Sequence, residues 1–236
     1  MPYATPLDEA DARRHAPATQ RNREPILAVL ERVLPPTGTV LEISSGTGEH
    51  AIFLAPRLAP RQWLPSDPDP LSRQSILAWR SAHPTANLHP PLALDASTAP
   101  WPIEAMTEHP TEDLTEHPTE NPTVALGVDL AQHPITAIVN INMIHIAPWE
   151  ACLGLMAGAG RLLPKGGVLY LYGPFKQGGQ HTAPSNAAFD DSLQAQNPAW
   201  GVRDLETVIA EAEAVGLRCL ETVAMPANNL SVVFQA

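Results

Sequence analysis

Two kinds of hydrophobic pattern alternate along this chain. Short, nearly continuous aliphatic runs suit strands that are buried on both faces of a sheet, whereas apolar residues spaced three or four apart are typical of helices. The aliphatic runs predict one strand that begins at Thr39 and six further strands, at 62–66, 88–94, 137–146, 168–172, 218–225 and 229–235. Helical spacing follows the first of these strands and recurs at 19–34, 72–82, 149–163 and 205–215.

The order of these elements predicts an α/β fold. Strands that alternate with helices form a parallel sheet with helices on both faces, because each parallel connection needs a crossover. The last two strands are joined by Pro226-Ala227-Asn228, and a turn this short connects only antiparallel neighbours. We therefore expect a seven-stranded, mostly parallel sheet that ends in an antiparallel hairpin, within one domain that covers residues 1–236.

Composition and charge disfavour several classes of function. The 236 residues are 44% hydrophobic, which is enough for one substantial core. The formal net charge of -11 provides no basic surface for nucleic acid or for an anionic membrane. No apolar run approaches the length of about 18 residues that a membrane span needs, and the polar N-terminus lacks the apolar region of a signal peptide. We expect a cytoplasmic protein that acts on a small molecule or a peptide.

Cysteine and histidine spacing argues against a metal centre. Cys152 and Cys219 lie far apart and form no C-x-x-C pair. Residues 103–133 have the composition of a low-complexity insertion, in which the sequence Thr-Glu-His-Pro-Thr-Glu occurs twice. The spacing of its histidines follows from this repeat and matches no zinc pattern; they are His109, His117 and His133.

A glycine turn follows the first strand and opens the next helix. Gly46 and Gly48 lie in the stretch Ser44-Ser45-Gly46-Thr47-Gly48. Glycine lets the backbone approach a ligand closely, and the free N–H groups of the first helical turn face the same space. Alternatively, the two glycines only shape the connection, and the motif alone does not decide between these interpretations.

The spacing of the turn fits two classes of cofactor. Gly46, Gly48 and Ala51 match the dinucleotide fingerprint G-x-G-x-x-A, and Asp67 follows about 20 residues later, where an acid holds a ribose. Glu42, at the end of the first strand, would repel a pyrophosphate. S-adenosylmethionine has no phosphate and carries two cationic groups, an ammonium and a sulfonium. The acid beside the turn therefore favours S-adenosylmethionine over NAD.

Polar side chains close five successive predicted strands. They are Glu42, Asp67, Asp95, Asn142 with His145, and Tyr172. Because the carboxyl ends of parallel strands meet at one edge of a sheet and bind ligands there, we expect these groups around one nucleoside-sized ligand. Two of them also fit a purely structural role. Asp67 suits its Asp-Pro-Asp-Pro turn, and His145 suits a hydrogen-bonded position in the core.

Two further segments carry polar groups whose role the pattern leaves open. Residues 176–204 have the composition of a long polar loop, which is either a lid or substrate wall or a plain surface excursion. Arg21, Asn22 and Arg23 open the first predicted helix, where basic residues oppose the helix dipole. They either face a ligand carboxylate or an acidic neighbour, or they are solvated charges.

Together these motifs resemble a known family. The chain is similar to the uncharacterised family of class I methyltransferase-like proteins typified by methyltransferase-like protein 26. The likeness spans nearly the whole chain and lies in the stretches Arg21–Leu27, Leu41–Ala51, Asn140–Trp149, Tyr172–Phe175, Ser185–Asp190 and Trp200–Asp204. The Thr-Glu-His-Pro repeat departs from the family pattern, as an expendable insertion would.

The resemblance implies a Rossmann-like class I methyltransferase fold and a site for S-adenosylmethionine. By match to class I motifs, the cofactor-binding residues are Arg21, Asn22, Glu42, Ser44, Gly46, Thr47, Gly48, Asp67, Asp95, Ala96, Asn142 and Met143. Glu42 and the glycines would border the methionine moiety. Asp67 would contact the ribose and Asp95 the adenine, and Asn142 and Met143 would flank the sulfonium. His145, together with Tyr172, is expected to act as a base or to orient the acceptor.

Two other functions are compatible with the same features. A non-catalytic module of this fold would bind the nucleoside without transferring a methyl group. An NAD-dependent oxidoreductase is disfavoured by Glu42 and by the closing hairpin. The residues identify neither the methyl acceptor nor the oligomeric state.

Overall fold

The computed structural model of the chain describes residues 11–108 and 127–236. Its central sheet contains β1 (Thr39–Ile43), β2 (Gln62–Pro65), β3 (Ile135–Ile141), β4 (Val168–Gly173), β8 (Arg218–Met225) and β9 (Asn229–Gln235). A smaller sheet contains β5 (Phe175–Gln177), β6 (Gln180–His181) and β7 (Arg203–Asp204). The helices are α1 (Pro17–Val33), α2 (Glu49–Arg57), α3 (Pro70–Ala82), α4 (Pro102–Glu108), α5 (Trp149–Leu162), α6 (Pro184–Gln196) and α7 (Leu205–Ala214).

The strands of the central sheet follow the order β2-β1-β3-β4-β9-β8. β1 pairs in parallel with β2 and β3, and β3 pairs in parallel with β4. β9 runs antiparallel to both β4 and β8, and a 3-10 turn at Pro226–Asn228 joins it to β8. The chain is therefore an α/β protein with a mixed sheet, and the carboxyl ends of its parallel strands share one edge.

The prediction of seven strands is wrong, because the segment expected to form the third strand does not pair continuously. In the described ranges, Leu88 and Leu92 contact the sheet as isolated bridges to Trp63 and Ser66. The Pro90-Pro91 pair between them has no backbone N–H groups, so it interrupts the hydrogen bonds of a ladder. Within residues 11–108 and 127–236, the central sheet therefore has six strands.

Helices cover both faces of the central sheet, because successive strand residues alternate between two hydrophobic clusters. Val40 belongs to the cluster that α1 and α2 cover, and its neighbour Leu41 belongs to the cluster that α5 and α7 cover. β1, β3 and β4 are buried along almost their whole length, as their aliphatic runs predict. Among the described residues, no helix is both long and apolar enough to cross a membrane.

Both ends of the segment 103–133, expected to be an insertion, belong to the core. Ile103 on α4 is fully buried, and Val128 and Leu130 have no more than 5% of their surface exposed. All three pack in the cluster that α5 covers. The packed structure therefore extends further into this segment than its overall composition predicts, because single apolar residues at its ends are buried. The repeat from His109 onward, including His117, lies outside the described residues.

The segment 176–204, predicted to be a polar loop, instead contains strands of the smaller sheet and the 13-residue helix α6. The buried carboxylate of Asp190 holds these elements together. It pairs with Lys176 Nζ at 2.8 Å and with His181 Nε2 at 3.3 Å, and it accepts the Val202 N–H at 2.7 Å. These partners lie in three different elements or loops, so the local pattern does not reveal their arrangement.

Gly154 on α5 supports a wall of the site described below, and Gly154→Ala is expected to destabilise the fold. A Cβ at this position would lie 2.0 Å from the carbonyl oxygen of Ala96. In an unconstrained helix the same substitution is stabilising, so the contact should reverse the sign and lower the free energy of unfolding by about 1–3 kcal/mol. Denaturant titration measures this quantity.

Leu153→Ala, at an exposed position of the same helix, is the control and should change the free energy of unfolding by about 0.5 kcal/mol or less. A Gly154→Ala variant as stable as the natural protein would contradict the close contact with Ala96.

Candidate functional site

A cavity of about 850 Å³ opens at the carboxyl ends of β1, β2 and β3, and it is termed the sheet-edge cavity. Predicted site residues line much of it: Glu42, Ser44, Gly46, Thr47, Asp67, Asp95, Ala96, Asn142 and Met143. Its other walls come from the start of α1, the loop between β3 and α5, the start of α5, and Trp200. Open α/β sheets bind their ligands at this position.

The two glycines of the turn differ in what surrounds them. Gly46 lines the cavity with φ of +57°, and a Cβ added there would meet no atom within 4 Å. The open space at Gly46 fits a ligand that approaches the backbone closely. Gly48 is the N-cap of α2 with φ of +88°, and its Cβ would lie 2.9 Å from Ile76 of α3. Gly48 therefore allows two helices to pack, and it lies outside the cavity lining.

Two residues other than glycine adopt the left-handed conformation at the ends of neighbouring strands. The φ angle is +57° at Ser44 and +64° at Asn142, and both residues line the cavity. This conformation costs of order 1–3 kcal/mol for such residues and is found preferentially at functional sites. It turns the chain sharply where β1 and β3 end, and so shapes the cavity between them.

Glu42 is the most deeply buried acid of the cavity, with 1% of its surface exposed. Its Oε2 accepts a hydrogen bond from Trp63 Nε1 at 2.9 Å. The pKa of the Glu42 carboxyl is raised from 4.5 to about 7; burial is the main cause, hydrogen bonds from Trp63 and Ser45 oppose the rise, and the charge of Asp67 contributes to it. A cation in the cavity would favour the ionised carboxylate.

Asp67 and Asp95 reach the cavity from the side of β2. Asp67 Oδ2 accepts the Gly46 N–H and Oδ1 accepts the Asp69 N–H, both at 2.9 Å. Burial raises the pKa of Asp67. Asp95 is exposed and accepts the N–H and the hydroxyl of Ser97 at 2.9 and 2.7 Å. In the described part of the chain, no three His, Cys, Asp or Glu side chains form a group suited to a metal ion.

Five predicted site residues lie outside the cavity lining: Arg21, Asn22, Gly48, His145 and Tyr172. The Tyr172 hydroxyl is directed towards α1, where it bonds to Asn22, and it accepts a hydrogen bond from Asn229 Nδ2 at 3.0 Å. Burial raises the pKa of Tyr172. Asn22 Oδ1 in turn lies 2.9 Å from Nε2 of His50, which does line the cavity. Arg21 is exposed beside this group.

His145 lies in the wall behind Asn142. It is 3% exposed, its ring packs edge-on against Phe189 at 5.6 Å, and its Nδ1 is buried with no hydrogen-bond partner. A Cβ at Gly173 would lie 3.2 Å from this nitrogen and 3.7 Å from Asn142 Oδ1, so the two side chains are neighbours. Burial, together with a smaller effect of the Arg203 charge, lowers the pKa of His145 to about 4, so the ring is neutral at neutral pH.

Arg203 fixes the loop that forms this wall. Its guanidinium donates hydrogen bonds to the carbonyl oxygens of Ile144 at 3.0 Å, Ala147 at 2.7 Å and Ala199 at 2.8 Å. Ala147 and Trp200 both line the cavity. The stretch Trp200–Asp204 therefore contributes to the site by holding the loop after β3 in place.

The cavity lining includes residues that the sequence does not identify as site residues, among them His50, Glu150 and Trp200. His50 lies on the first turn of α2, two residues after Gly48, and its closeness to the glycine turn is the one sequence signal by which it could be identified. Trp200 comes from a segment remote in sequence from the strand ends. The sequence singles out Trp200 only as part of the segment 176–204 and of the stretch Trp200–Asp204.

The model of a protein family described as "Protein of unknown function (DUF938)" matches residues 13–236, almost the whole chain. The chain belongs to the DUF938 family. This description assigns no activity, so the function of the DUF938 protein has to be inferred from its site.

The DUF938 protein also resembles solved methyltransferase structures. An O-methyltransferase family protein from Burkholderia thailandensis matches it with a TM-score of 0.67 and 13% identity, over 92% of this chain and 57% of that chain. Human N-acetylserotonin methyltransferase in complex with SAM matches with a TM-score of 0.64 and 10% identity, over 92% of this chain and 52% of that chain. CalO1, a methyltransferase in calicheamicin biosynthesis in its SAH-bound form, matches with a TM-score of 0.62 and 15% identity, over 92% of this chain and 55% of that chain.

The DUF938 protein thus spans 52–57% of the length of these three proteins. At 10–15% identity, the likeness shows the fold alone. That fold is the α/β arrangement of class I methyltransferases.

Glu42→Gln is expected to make the DUF938 protein more stable than the natural protein at pH 8. Because the pKa of Glu42 is raised on folding, the folded state holds a proton that the unfolded state loses, and stability falls as the pH rises from 4.5 to about 7. Gln keeps an acceptor for the Trp63 N–H and does not titrate. Its stability advantage should grow by about 2–3 kcal/mol between pH 5 and pH 8.

Denaturant titrations at several pH values measure this difference. Glu24→Gln, at an exposed position of α1, serves as the control and should leave the pH profile unchanged. Parallel pH profiles for the natural protein and Glu42→Gln would show that the Glu42 carboxyl does not titrate in this range.

Proposed function

We propose that this DUF938 protein is an S-adenosylmethionine-dependent methyltransferase that acts on a small-molecule or peptide acceptor. The observation that carries the proposal is the set of acids Glu42, Asp67 and Asp95 around one cavity, beside the open space at Gly46. The fold shared with methyltransferases supports it. We further propose that the chain is related to the family typified by methyltransferase-like protein 26, which its motifs resemble.

The charge of the cavity favours a cationic nucleoside. Within the described residues its lining carries four acids and no Lys or Arg; the acids are Glu42, Asp67, Asp95 and Glu150. S-adenosylmethionine joins adenine and ribose to a sulfonium and an ammonium, so its positive charges complement this lining. The pyrophosphate of NAD would approach these acids without a compensating cation. An NAD-dependent oxidoreductase is therefore disfavoured.

Each group of residues has a role in this proposal. Asp95 and Ala96 would contact the adenine, Asp67 the ribose hydroxyls, and Glu42 the positively charged end of the nucleoside. Asn142 and Met143 would flank the site of transfer. When bound, the cofactor supplies a methyl group on an activated leaving group, and the main task of the chain is then to align the acceptor.

His145 and Tyr172 stay predictions as groups that deprotonate or orient the acceptor. His145 has the better position, since its neutral ring is a neighbour of Asn142, which lines the cavity, and its Nδ1 has no hydrogen-bond partner. The Tyr172 hydroxyl already bonds to Asn22 and Asn229, and burial raises its pKa. Because a raised pKa keeps the Tyr172 hydroxyl protonated at neutral pH, it is not available to take a proton from the acceptor.

The proposals for partners and location follow from charge and from the cysteines. The formal net charge of -11 opposes binding of nucleic acid, so we retain a small molecule or a peptide as acceptor. A cytoplasmic location is proposed from Cys152 and Cys219, which are free thiols, as is usual in a reducing compartment.

Calorimetric titration tests the cofactor. S-adenosylmethionine and S-adenosylhomocysteine should bind to the natural protein, and NAD should not. Asp67→Asn removes a charged acceptor and should weaken S-adenosylmethionine binding about tenfold or more. Asp69→Asn is the matched control. It should leave the affinity unchanged, because Asp69 caps α3 and Asn caps helices equally well. Binding of NAD without binding of S-adenosylmethionine would refute the proposal.

Formation of S-adenosylhomocysteine from S-adenosylmethionine, with a panel of phenols, thiols, amines and short peptides, tests catalysis. His145→Gln is expected to keep its affinity for S-adenosylhomocysteine and to lower turnover about a hundredfold or more, as loss of a general base does. His83→Gln, at an exposed position, should have no effect. Unchanged turnover in His145→Gln would exclude this role. Binding without transfer to any acceptor would favour the non-catalytic module.

A further inference from the structure

A cavity that suits the cations of S-adenosylmethionine must also accommodate its carboxylate. The acids that line the sheet-edge cavity would each repel that group. Among the described lining residues, His50 is the one side chain that can carry a positive charge. Arg21, the basic residue that the sequence suggests, is exposed and does not line the cavity.

A hydrogen-bond network holds His50 at the cavity. Its Nε2 lies 2.9 Å from Asn22 Oδ1. Asn22 is 5% exposed and also bonds to the Tyr172 hydroxyl, to which Asn229 Nδ2 donates at 3.0 Å. With Asn22 in this orientation, its amide oxygen accepts a hydrogen bond from the Nε2–H of His50, and Nδ1 is the nitrogen available to a ligand.

The position of His50 along the sheet edge matches the amino-acid end of the nucleoside. The strand order puts Asp67, and Asp95 beyond it, on the β2 side of Glu42. The contact of Asn22 with Tyr172 connects His50 to β4, which lies on the other side of Glu42. If adenine and ribose occupy the β2 side, the methionine moiety extends towards His50.

The His50 ring is neutral in the free protein, and a bound anion would favour its charged form. The pKa of His50 is lowered to about 4, chiefly by burial; the charge of Glu49 on α2 opposes this fall and the charge of Arg23 on α1 adds to it. Glu42 of β1 lines the same cavity. A carboxylate next to the ring favours its protonated form, which has two N–H donors, one for Asn22 and one for the ligand.

We infer that His50, oriented by Asn22, binds the carboxylate at the amino-acid end of S-adenosylmethionine, and so selects nucleosides that carry the intact methionine moiety. This inference rests on the function proposed for the same cavity. It assigns to His50 the role that the sequence suggests for Arg21.

S-adenosylmethionine and its decarboxylated form test the inference, because they differ in this carboxylate alone. Calorimetric titrations of both nucleosides compare the natural protein with His50→Ala. His50→Ala should weaken S-adenosylmethionine binding roughly ten- to hundredfold, as loss of a charge-assisted hydrogen bond does, and should leave the affinity for the decarboxylated form unchanged. His83→Ala is the matched control and should change neither affinity.

Asn22→Ala is the second variant, in which His50 keeps its ring and loses the partner that orients it. It should show a smaller loss, again for S-adenosylmethionine alone, and thermal unfolding establishes that both variants are folded. Equal losses for the two nucleosides in His50→Ala, or a carboxylate-specific loss in Arg21→Gln and not in His50→Ala, would overturn the inference. If the natural protein binds neither nucleoside, the proposed function itself fails, so the two failures are distinguishable.

Discussion

The burial of one carboxyl group, that of Glu42, is the constraint on which the candidate site depends. β1 lies between β2 and β3, with helices on both faces of the sheet, so water has little access to a side chain at its carboxyl end. A carboxyl group in such surroundings favours either its neutral form or a cation beside it. Asp67 and the exposed Asp95 extend the same negative character outwards along the edge. The lining thus selects for ligand charge before any individual contact is formed.

The walls around this group are held by contacts between distant segments. Ser44 and Asn142 turn the chain sharply where two adjacent strands end. Arg203 binds three carbonyl oxygens, two of them in the loop after β3, and Asp190 holds α6 against the smaller sheet. Burying a polar group without a hydrogen-bond partner costs free energy, so few other arrangements of these segments would keep the buried groups paired. The pairing explains why a segment rich in polar residues has a defined structure.

The strands and the glycine turn are predictable from sequence because each is a local pattern. Aliphatic runs locate β1, β3 and β4, and the polar residues that follow β1 and β3 do line one cavity. Prediction fails where remote contacts decide the outcome: His50 depends on Asn22, 28 positions earlier, and Asp190 on partners in other elements. The missing third strand is different, because its cause is local. The apolar run 88–94 predicts a strand, but Pro90-Pro91 within it interrupts the hydrogen bonds of a ladder.

β9 is synthesised after every other strand of the central sheet, although it lies inside that sheet between β4 and β8. Until it leaves the ribosome, β4 presents an unpaired edge and apolar side chains that have no cover. The nascent polypeptide therefore carries an incomplete sheet until β9 has been synthesised, and during this period it is exposed to chaperones and to aggregation. A premature stop that removes β9 would leave β4 and β8 without the strand that pairs with both, whereas loss of an edge strand would remove only the end of the sheet.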